Sequence, residues 1–378
     1  MTFSSYGTRA RGRPADALRA SAVPWLLVRV LVPATLVLAR HVSDELGVDG
    51  RPATLDDGLF SWDGTFYEDI ARGGYDAVGE EGLRFFPLYP LLARAIGAIP
   101  GVSIRVALVV IASVCAALAG VLLHALCMRE HDDEALARRS VWFVTLAPPA
   151  FVLVFGYAEA MFLALSIGCF LALRTSRWTV AGALGLLAAL TRPVGILLVV
   201  PAAIEAWRGA RSALPRERIT RVAAVVGPPA GLFTYLAWVD HRTHDFWTVL
   251  RVYDEPELRG DTVAPWSSLA DAARAFGDAD QIMTAVHFVS AIGLLGLLVV
   301  LARSWPASYT AYAVATLAVV LTASTLNSLE RYAVVCFPFV LAAATVLRTP
   351  SAERAALAVS GGGIVALSLL AFLGIHVP

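Results

Sequence analysis

The sequence predicts an all-α integral membrane protein, a multi-span helical bundle of about 11 transmembrane helices with short amphipathic helices in two outer loops. Two observations carry this. Hydrophobic residues make up 58% of the 378, and the mean hydropathy is +0.68, far above the values of a soluble domain. Apolar runs of membrane-spanning length then recur along the whole chain.

Apolar segments lie near 25–40, 104–127, 141–156, 159–173, 178–190, 194–207, 222–239, 282–302, 307–326, 331–347 and 355–375. Two stretches need arbitration by the distribution of positive charge. If 178–207 is two passes broken at Thr191-Arg192-Pro193, then Arg208, Arg211, Arg216, Arg218 and Arg221 join Arg129, Arg138, Arg139, Arg174 and Arg177 on the side of the N-terminal arginines. The positive-inside bias favours that reading, and Pro193 favours the break. By the same logic 141–173 is two spans meeting at Gly156-Tyr157-Ala158-Glu159. The expected organisation is a basic cytoplasmic tail over 1–24 and a single polytopic domain over 25–376, with outer loops at 41–103 and 240–281. The N-terminus is then inside, the C-terminus outside, and the protein sits in the plasma membrane.

Composition also excludes. The formal net charge is zero, so nothing points to nucleic acid. Every basic side chain is Arg and none is Lys, which points to a GC-rich bacterial source. Cys115, Cys127, Cys169 and Cys336 sit in or beside apolar runs without metal-ligand spacing and read as packing residues. His41, His241, His244 and Asp245 lack the spacing of a zinc site. There is no Walker-type loop and no dinucleotide fingerprint, so no soluble nucleotide site and no cofactor are expected.

The informative polar residues sit at the outer ends of the expected spans. Ser61-Trp62-Asp63-Gly64-Thr65-Phe66-Tyr67 leads to Gly73-Gly74-Tyr75 and Phe85-Phe86-Pro87-Leu88-Tyr89-Pro90. Thr65 and Glu68 fit a capping box, so a short helix is expected from there to the Gly73-Gly74 stop, with Asp63 in the turn ahead of it. Asp63 is then either a turn residue or a general base held beside Trp62. Trp62, Phe66 and Tyr67 are interface aromatics or sugar-stacking groups. Glu159 opens one apolar segment and Arg192 closes another. Each is either a helix-end residue or a group facing a polar cavity, and a guanidinium suits a lipid phosphate. Asn327-Ser328-Leu329-Glu330-Arg331-Tyr332 puts Glu330 and Arg331 between two spans, where an internal ion pair is equally compatible. The loop from His241 to Gln281, with Trp247, Tyr253 and Trp266, suits an acceptor-binding cover or a plain solvated loop.

Taken in order over about 60 to 340, these motifs resemble the PIG-V-type mannosyltransferases, of the GT-C class that uses polyprenyl-phosphate sugars. Trp62-Asp63-Gly64 with Tyr67 and Gly74-Tyr75, Phe85-Phe86-Pro87-Leu88-Tyr89-Pro90, Gly156-Tyr157-Ala158-Glu159, Thr191-Arg192-Pro193-Val194-Gly195, Ser328-Leu329-Glu330-Arg331-Tyr332 and Phe337-Pro338 carry the resemblance. It implies a GT-C-like bundle and an inverting transfer of a sugar, usually mannose, from a polyprenyl-phosphate donor to a glycolipid or glycan acceptor at the extracytoplasmic face. Asp63 would be the base, Arg331 and Arg192 the donor-phosphate ligands, and Glu159, Trp62, Tyr67 and Glu330 substrate-binding residues. Two alternatives stand beside this: a lipid-linked sugar transporter or flippase, and a GT-C enzyme using another polyprenyl-phosphate sugar.

Overall fold

The computed structural model describes residues 14–45, 52–255, 258–274, 282–326 and 328–375. Arg9, Arg11 and Arg13 of the expected basic tail, Asn327 and parts of both expected outer loops lie outside the described residues.

The helices in chain order are α1 (Pro14–Glu45), α2 (Ala53–Asp57), α3 (Asp63–Gly73), α4 (Leu88–Gly97), α5 (Ile104–His131), α6 (Glu134–Leu146), α7 (Glu159–Arg174), α8 (Trp178–Thr191), α9 (Val199–Trp207), α10 (Pro215–Thr243), α11 (Thr248–Tyr253), α12 (Pro265–Arg274), α13 (Ile282–Ser304), α14 (Ala307–Leu321), α15 (Leu329–Val335), α16 (Pro338–Val346) and α17 (Pro350–Phe372). Among the described residues no strand forms, and Thr262 and Ala323 make an isolated antiparallel bridge. The fold is all-α, as expected. One boundary differs: α1 begins at Pro14, well before the apolar run at Trp25, so residues 14–24 are helix rather than tail. Asp16 in its first turn complements the helix dipole there.

Among the described residues five helices, α1, α5, α10, α13 and α17, are long and apolar enough to cross a membrane, and α15 with α16, bent by 82° at the break between them, form a broken span or a re-entrant loop. The other apolar segments are shorter than a crossing of roughly 20 residues.

Side-chain pairs sort the helix ends into two groups. At one end, Arg105 in the first turn of α5 meets Glu68 of α3 (2.8 Å), and Arg242 in the last turn of α10 meets Asp76. Near the same end His287 of α13 meets Glu330 of α15 (2.8 Å), and Trp62 Nε1 donates to the Ala371 carbonyl at the end of α17 (3.0 Å). At the other end, Arg174 closes α7 and binds Glu130 of α5 (2.6 Å) and Glu205 of α9 (2.9 Å). Ser308 at the start of α14 donates to Glu205 (2.6 Å), and Arg139 of α6 reaches Glu353 in the first turn of α17 (3.5 Å).

This sorting decides how 178–207 runs. Glu159 and Arg174 stand at opposite ends of α7, roughly 22 Å apart at 1.5 Å per residue. Arg192 pairs with Glu159, and Glu205 pairs with Arg174. Residues 178–191 and 193–207 therefore run in opposite directions between the two ends, reversing at Arg192. That residue takes an extended conformation (φ −152°, ψ 145°), as a residue before proline prefers.

Two hydrophobic cores result. The larger draws on α1, α5 to α9 and α13 to α17. The smaller is the first loop folded onto the bundle: Tyr67, Tyr75, Phe86 and Tyr89 pack against Leu108, Met161 and Tyr235. The aromatic motifs of 66–90 thus seat α3. Phe86 and Tyr89 are wholly buried, Tyr89 donates to the Leu108 carbonyl (2.9 Å), and Tyr75 donates to that of Phe85 (2.6 Å).

The most extensive helix pair, α8 with α10, closes through glycine. A Cβ at Gly227 would come within 2.1 Å of the Gly182 carbonyl oxygen, which is backbone and cannot swing away. Gly227→Ala is expected to cost about 1–3 kcal/mol as overpacking and to lower the thermal unfolding temperature in detergent. Gly296→Ala in α13, where the added Cβ meets open space, is expected to cause no fall.

Candidate active site

The site begins with a strained turn. Trp62 adopts φ 60° and ψ −122°, a region that costs a bulky residue of order 1–3 kcal/mol. Its indole N–H is fixed by the Ala371 carbonyl, and Thr65 Oγ1 donates back to the Trp62 carbonyl (2.8 Å). The turn makes Asp63 the first residue of α3, where the positive end of the helix dipole favours a carboxylate. The helix stops at Gly74 (φ 77°), as expected. The capping box does not form. Glu68 is instead drawn to Arg105 (2.8 Å) and Arg72 (2.6 Å), because charged partners outcompete a backbone N–H.

A second segment locks onto this turn from residue 156 onward. Gly156 N donates to the Leu59 carbonyl (2.9 Å), and Tyr157 Oη donates to that of Ser61 (2.9 Å). Glu159, the next turn's first residue, is thereby held beside Asp63 at the start of α7. Arg192 arrives from the reversal after α8, and Arg331 from α15.

These four form one alternating cluster. Arg192 Nη1 and Arg331 Nε both donate to Glu159 Oε1, and Arg331 Nη2 donates to Asp63 Oδ2. Arg331 lies over the Tyr157 ring (5.2 Å) and Arg192 over the Tyr332 ring (5.4 Å). Two carboxylates balance two guanidiniums, which is what makes their burial tolerable. Glu159 is completely buried, whereas the Asp63 side chain is 19% exposed, so Asp63 is the more accessible carboxylate. Among the described residues, Glu159 Oε2 and Arg192 Nε have no hydrogen-bond partner. Burial pushes the Asp63 carboxyl up, but Arg331, then Arg84 and Arg192, outweigh it and hold the group below its usual value.

The other expected site residues lie differently. Glu330, next to Arg331 on α15, is bound by His287 Nδ1 (2.8 and 3.0 Å) and not by the cluster's guanidiniums. Tyr67 is buried, its ring edge-on to Phe85 and Tyr89. Trp62 is half-buried with its N–H engaged. Sequence reasoning passed over Arg84, which lies over the Phe85 ring (4.8 Å); Tyr253, from the loop expected to form a cover, donates its hydroxyl to the Arg84 carbonyl (3.2 Å) from α11. The position of Arg84 beside Phe85-Phe86-Pro87 was the available signal.

Residues 39–223 match the family model described as Mannosyltransferase (PIG-V), and three of the four clustered residues fall within that match. Over that segment the chain is similar to the PIG-V mannosyltransferases. It is a multi-pass membrane glycosyltransferase. No curated protein and no solved structure matches the chain. The fourth residue of the cluster, Arg331, lies beyond the matched segment and reaches the site from α15.

Glu159→Ala would leave two buried guanidiniums sharing Asp63, and is expected to cost about 3–5 kcal/mol in a thermal unfolding measurement. Because the Asp63 carboxyl is held below its usual value, its contribution to stability is complete above the unfolded-state pKa and disappears as pH falls through the lower, folded value. The stability difference between wild type and Asp63→Asn should therefore be flat between about pH 5 and 8 and shrink only below about pH 4.

Proposed function

We propose that this glycosyltransferase moves mannose from a polyprenyl-phosphate donor to a hydroxyl of a glycolipid or glycan acceptor at the extracytoplasmic face, with inversion at the anomeric carbon. The observation that carries the reading is the oxygen shared by two cations: Arg192 and Arg331 meet on Glu159 Oε1, with the more accessible Asp63 next to them.

Two guanidiniums fixed side by side form a fork suited to a phosphate. Asp63 removes the proton from the acceptor hydroxyl as that oxygen attacks the anomeric carbon. The bond from that carbon to the phosphate oxygen breaks, and the polyprenyl phosphate leaves as an anion onto Arg331 and Arg192. Placing opposite charge where the leaving group forms lowers the barrier without a second proton transfer. Glu159 holds both guanidiniums and so fixes where the phosphate sits. Glu330 acts through its bond to His287, which anchors the short helix carrying Arg331.

Arg331 also couples the two halves of the reaction. In the free protein it is bonded to Asp63 and lowers the basicity of the carboxylate. An arriving phosphate competes for the same guanidinium and returns basicity to Asp63, so donor binding precedes base catalysis.

Sidedness is supported by the arginines. Arg129, Arg139, Arg174, Arg208 and Arg221 gather at the end of the bundle opposite Asp63, and the positive-inside rule puts that end in the cytoplasm. The match of residues 39–223 to a mannosyltransferase family model favours transfer over transport.

Membranes supplied with radiolabelled polyprenyl-phosphate mannose should yield a labelled product with the wild type and about 10²–10⁴-fold less with Asp63→Asn. A folded, inserted Asp63→Asn protein that transfers at the wild-type rate would overturn the assignment of Asp63 as base.

A further inference from the structure

Consecutive backbone carbonyls in the first loop are each held by a tyrosine hydroxyl from a different element. Tyr235 of α10 donates to the carbonyl of Leu83 (2.9 Å), Tyr253 of α11 to that of Arg84 (3.2 Å), and Tyr75, just after α3, to that of Phe85 (2.6 Å). The segment itself is a short 3-10 turn, Glu81–Arg84, too brief to be rigid alone. The side chain presented by this mount is Arg84. Its guanidinium lies over the rings of Phe66 (5.3 Å) and Phe85 (4.8 Å), which stack on each other (4.7 Å).

Phe66 follows Asp63 by three residues on α3, and residues so spaced are neighbours on one face of a helix. Arg84 is thereby set beside the Asp63 carboxylate, and among the cations only Arg331 acts on that group more strongly. Arg84 is not bonded to Asp63 or to Glu159; its ion pair is with Glu81 (3.1 Å). The Arg84 side chain is 12% exposed and that of Glu81 48%, so the pair is half in solvent and compensates the guanidinium weakly. The other groups facing Asp63 are Arg331 of α15, Arg192 after α8, Glu159 and Tyr157 at the start of α7, Tyr67 of α3 and Tyr253 of α11. Arg331 and Arg192 are both bonded to Glu159 and both receive the phosphate in the reading above. Arg84 stands apart from those bonds.

We propose that Arg84 is a positioning residue acting through Asp63: when phosphate draws Arg331 away, Arg84 is the cation that keeps the carboxylate ionised while leaving its oxygens open to the acceptor proton. A mostly buried carboxylate without a cation is driven toward its protonated form, in which it cannot serve as a base. A cation bonded to it would occupy the lone pairs that must take the proton. One held nearby on aromatic faces supplies the field and leaves them free. The tyrosine bonds to the carbonyls on either side of Arg84 fix that placement. The proposal rests on the reading of Asp63 as base, and one arm of its test does not.

Arg84→Met removes the charge and keeps an unbranched side chain against Phe66 and Phe85, and Arg84→Lys keeps the charge. Membranes holding the full chain are supplied with saturating radiolabelled polyprenyl-phosphate mannose, and the transfer rate is followed from about pH 4 to 9. In Arg84→Met the acid limb should move up by about one pH unit, giving a rate about tenfold lower below the limb and at least equal to wild type above it. Arg84→Lys should keep the wild-type limb. The second arm is thermal unfolding in detergent, which needs no transfer. In the Arg84→Met background the stability lost on Asp63→Asn should begin to shrink about one pH unit higher than in the wild-type background, because the folded carboxyl is held less far down. If Arg84→Met does not fold, Glu81→Gln at its half-exposed position should move both curves the other way by roughly a few tenths of a unit. An unchanged acid limb, a rate lowered by one factor at every pH, or Arg84→Lys shifting as far as Arg84→Met would each overturn the proposal. An acid limb that survives in Asp63→Asn, with the unfolding curves shifted, would sink Asp63 as base and leave its coupling to Arg84 standing.

Discussion

Arg331 is the joint on which the site depends. Its guanidinium binds Asp63 on one side and Glu159 on the other, joining parts of the chain that are 268 and 172 residues away in sequence. Each of these groups is costly to bury alone, and the four together are charge-balanced. A cluster of that kind is self-selecting, since losing any one member leaves an uncompensated charge in an apolar setting. The surrounding devices keep the members in reach. The Trp62 turn aims Asp63, the bonds from Gly156 and Tyr157 bring Glu159 to it, and His287 steadies α15 through Glu330.

The first loop divides its labour. Its aromatic motifs bury Phe86, Tyr89 and Tyr67 against α5, α7 and α10, while Asp63 stands in the charged cluster. A charged residue presented at a membrane face needs a rigid base beneath it. Packed aromatic rings with their hydroxyls bonded to backbone carbonyls provide one.

How much of this was legible in the sequence depended on the kind of signal. Asp63, Glu159, Arg192 and Arg331 stood out because ionisable groups beside apolar runs are rare, and counting arginines brought them to one end before any contact was known. The break at Arg192-Pro193 was legible for the same reason. Partner choice was not. Glu68 reads as half of a capping box until Arg105, 37 residues on, is seen to fold back against it. Glu330 and Arg331 are neighbours in sequence and face opposite partners, which only the orientation of α15 decides. Length misled at the N-terminus, where hydropathy begins at Trp25 but helix geometry continues back to Pro14.

The anchoring of the first loop to α17 has a consequence for biogenesis. Thr54 and Trp62 donate to the carbonyls of Phe372 and Ala371, more than 300 residues downstream. Arg331 too is synthesised late. A ribosome therefore delivers the turn bearing Asp63 to the bilayer long before the carbonyl that fixes it and the cation that neutralises it exist. The bonds that fix and neutralise that carboxylate form only after the segments carrying Arg331 and α17 have been made.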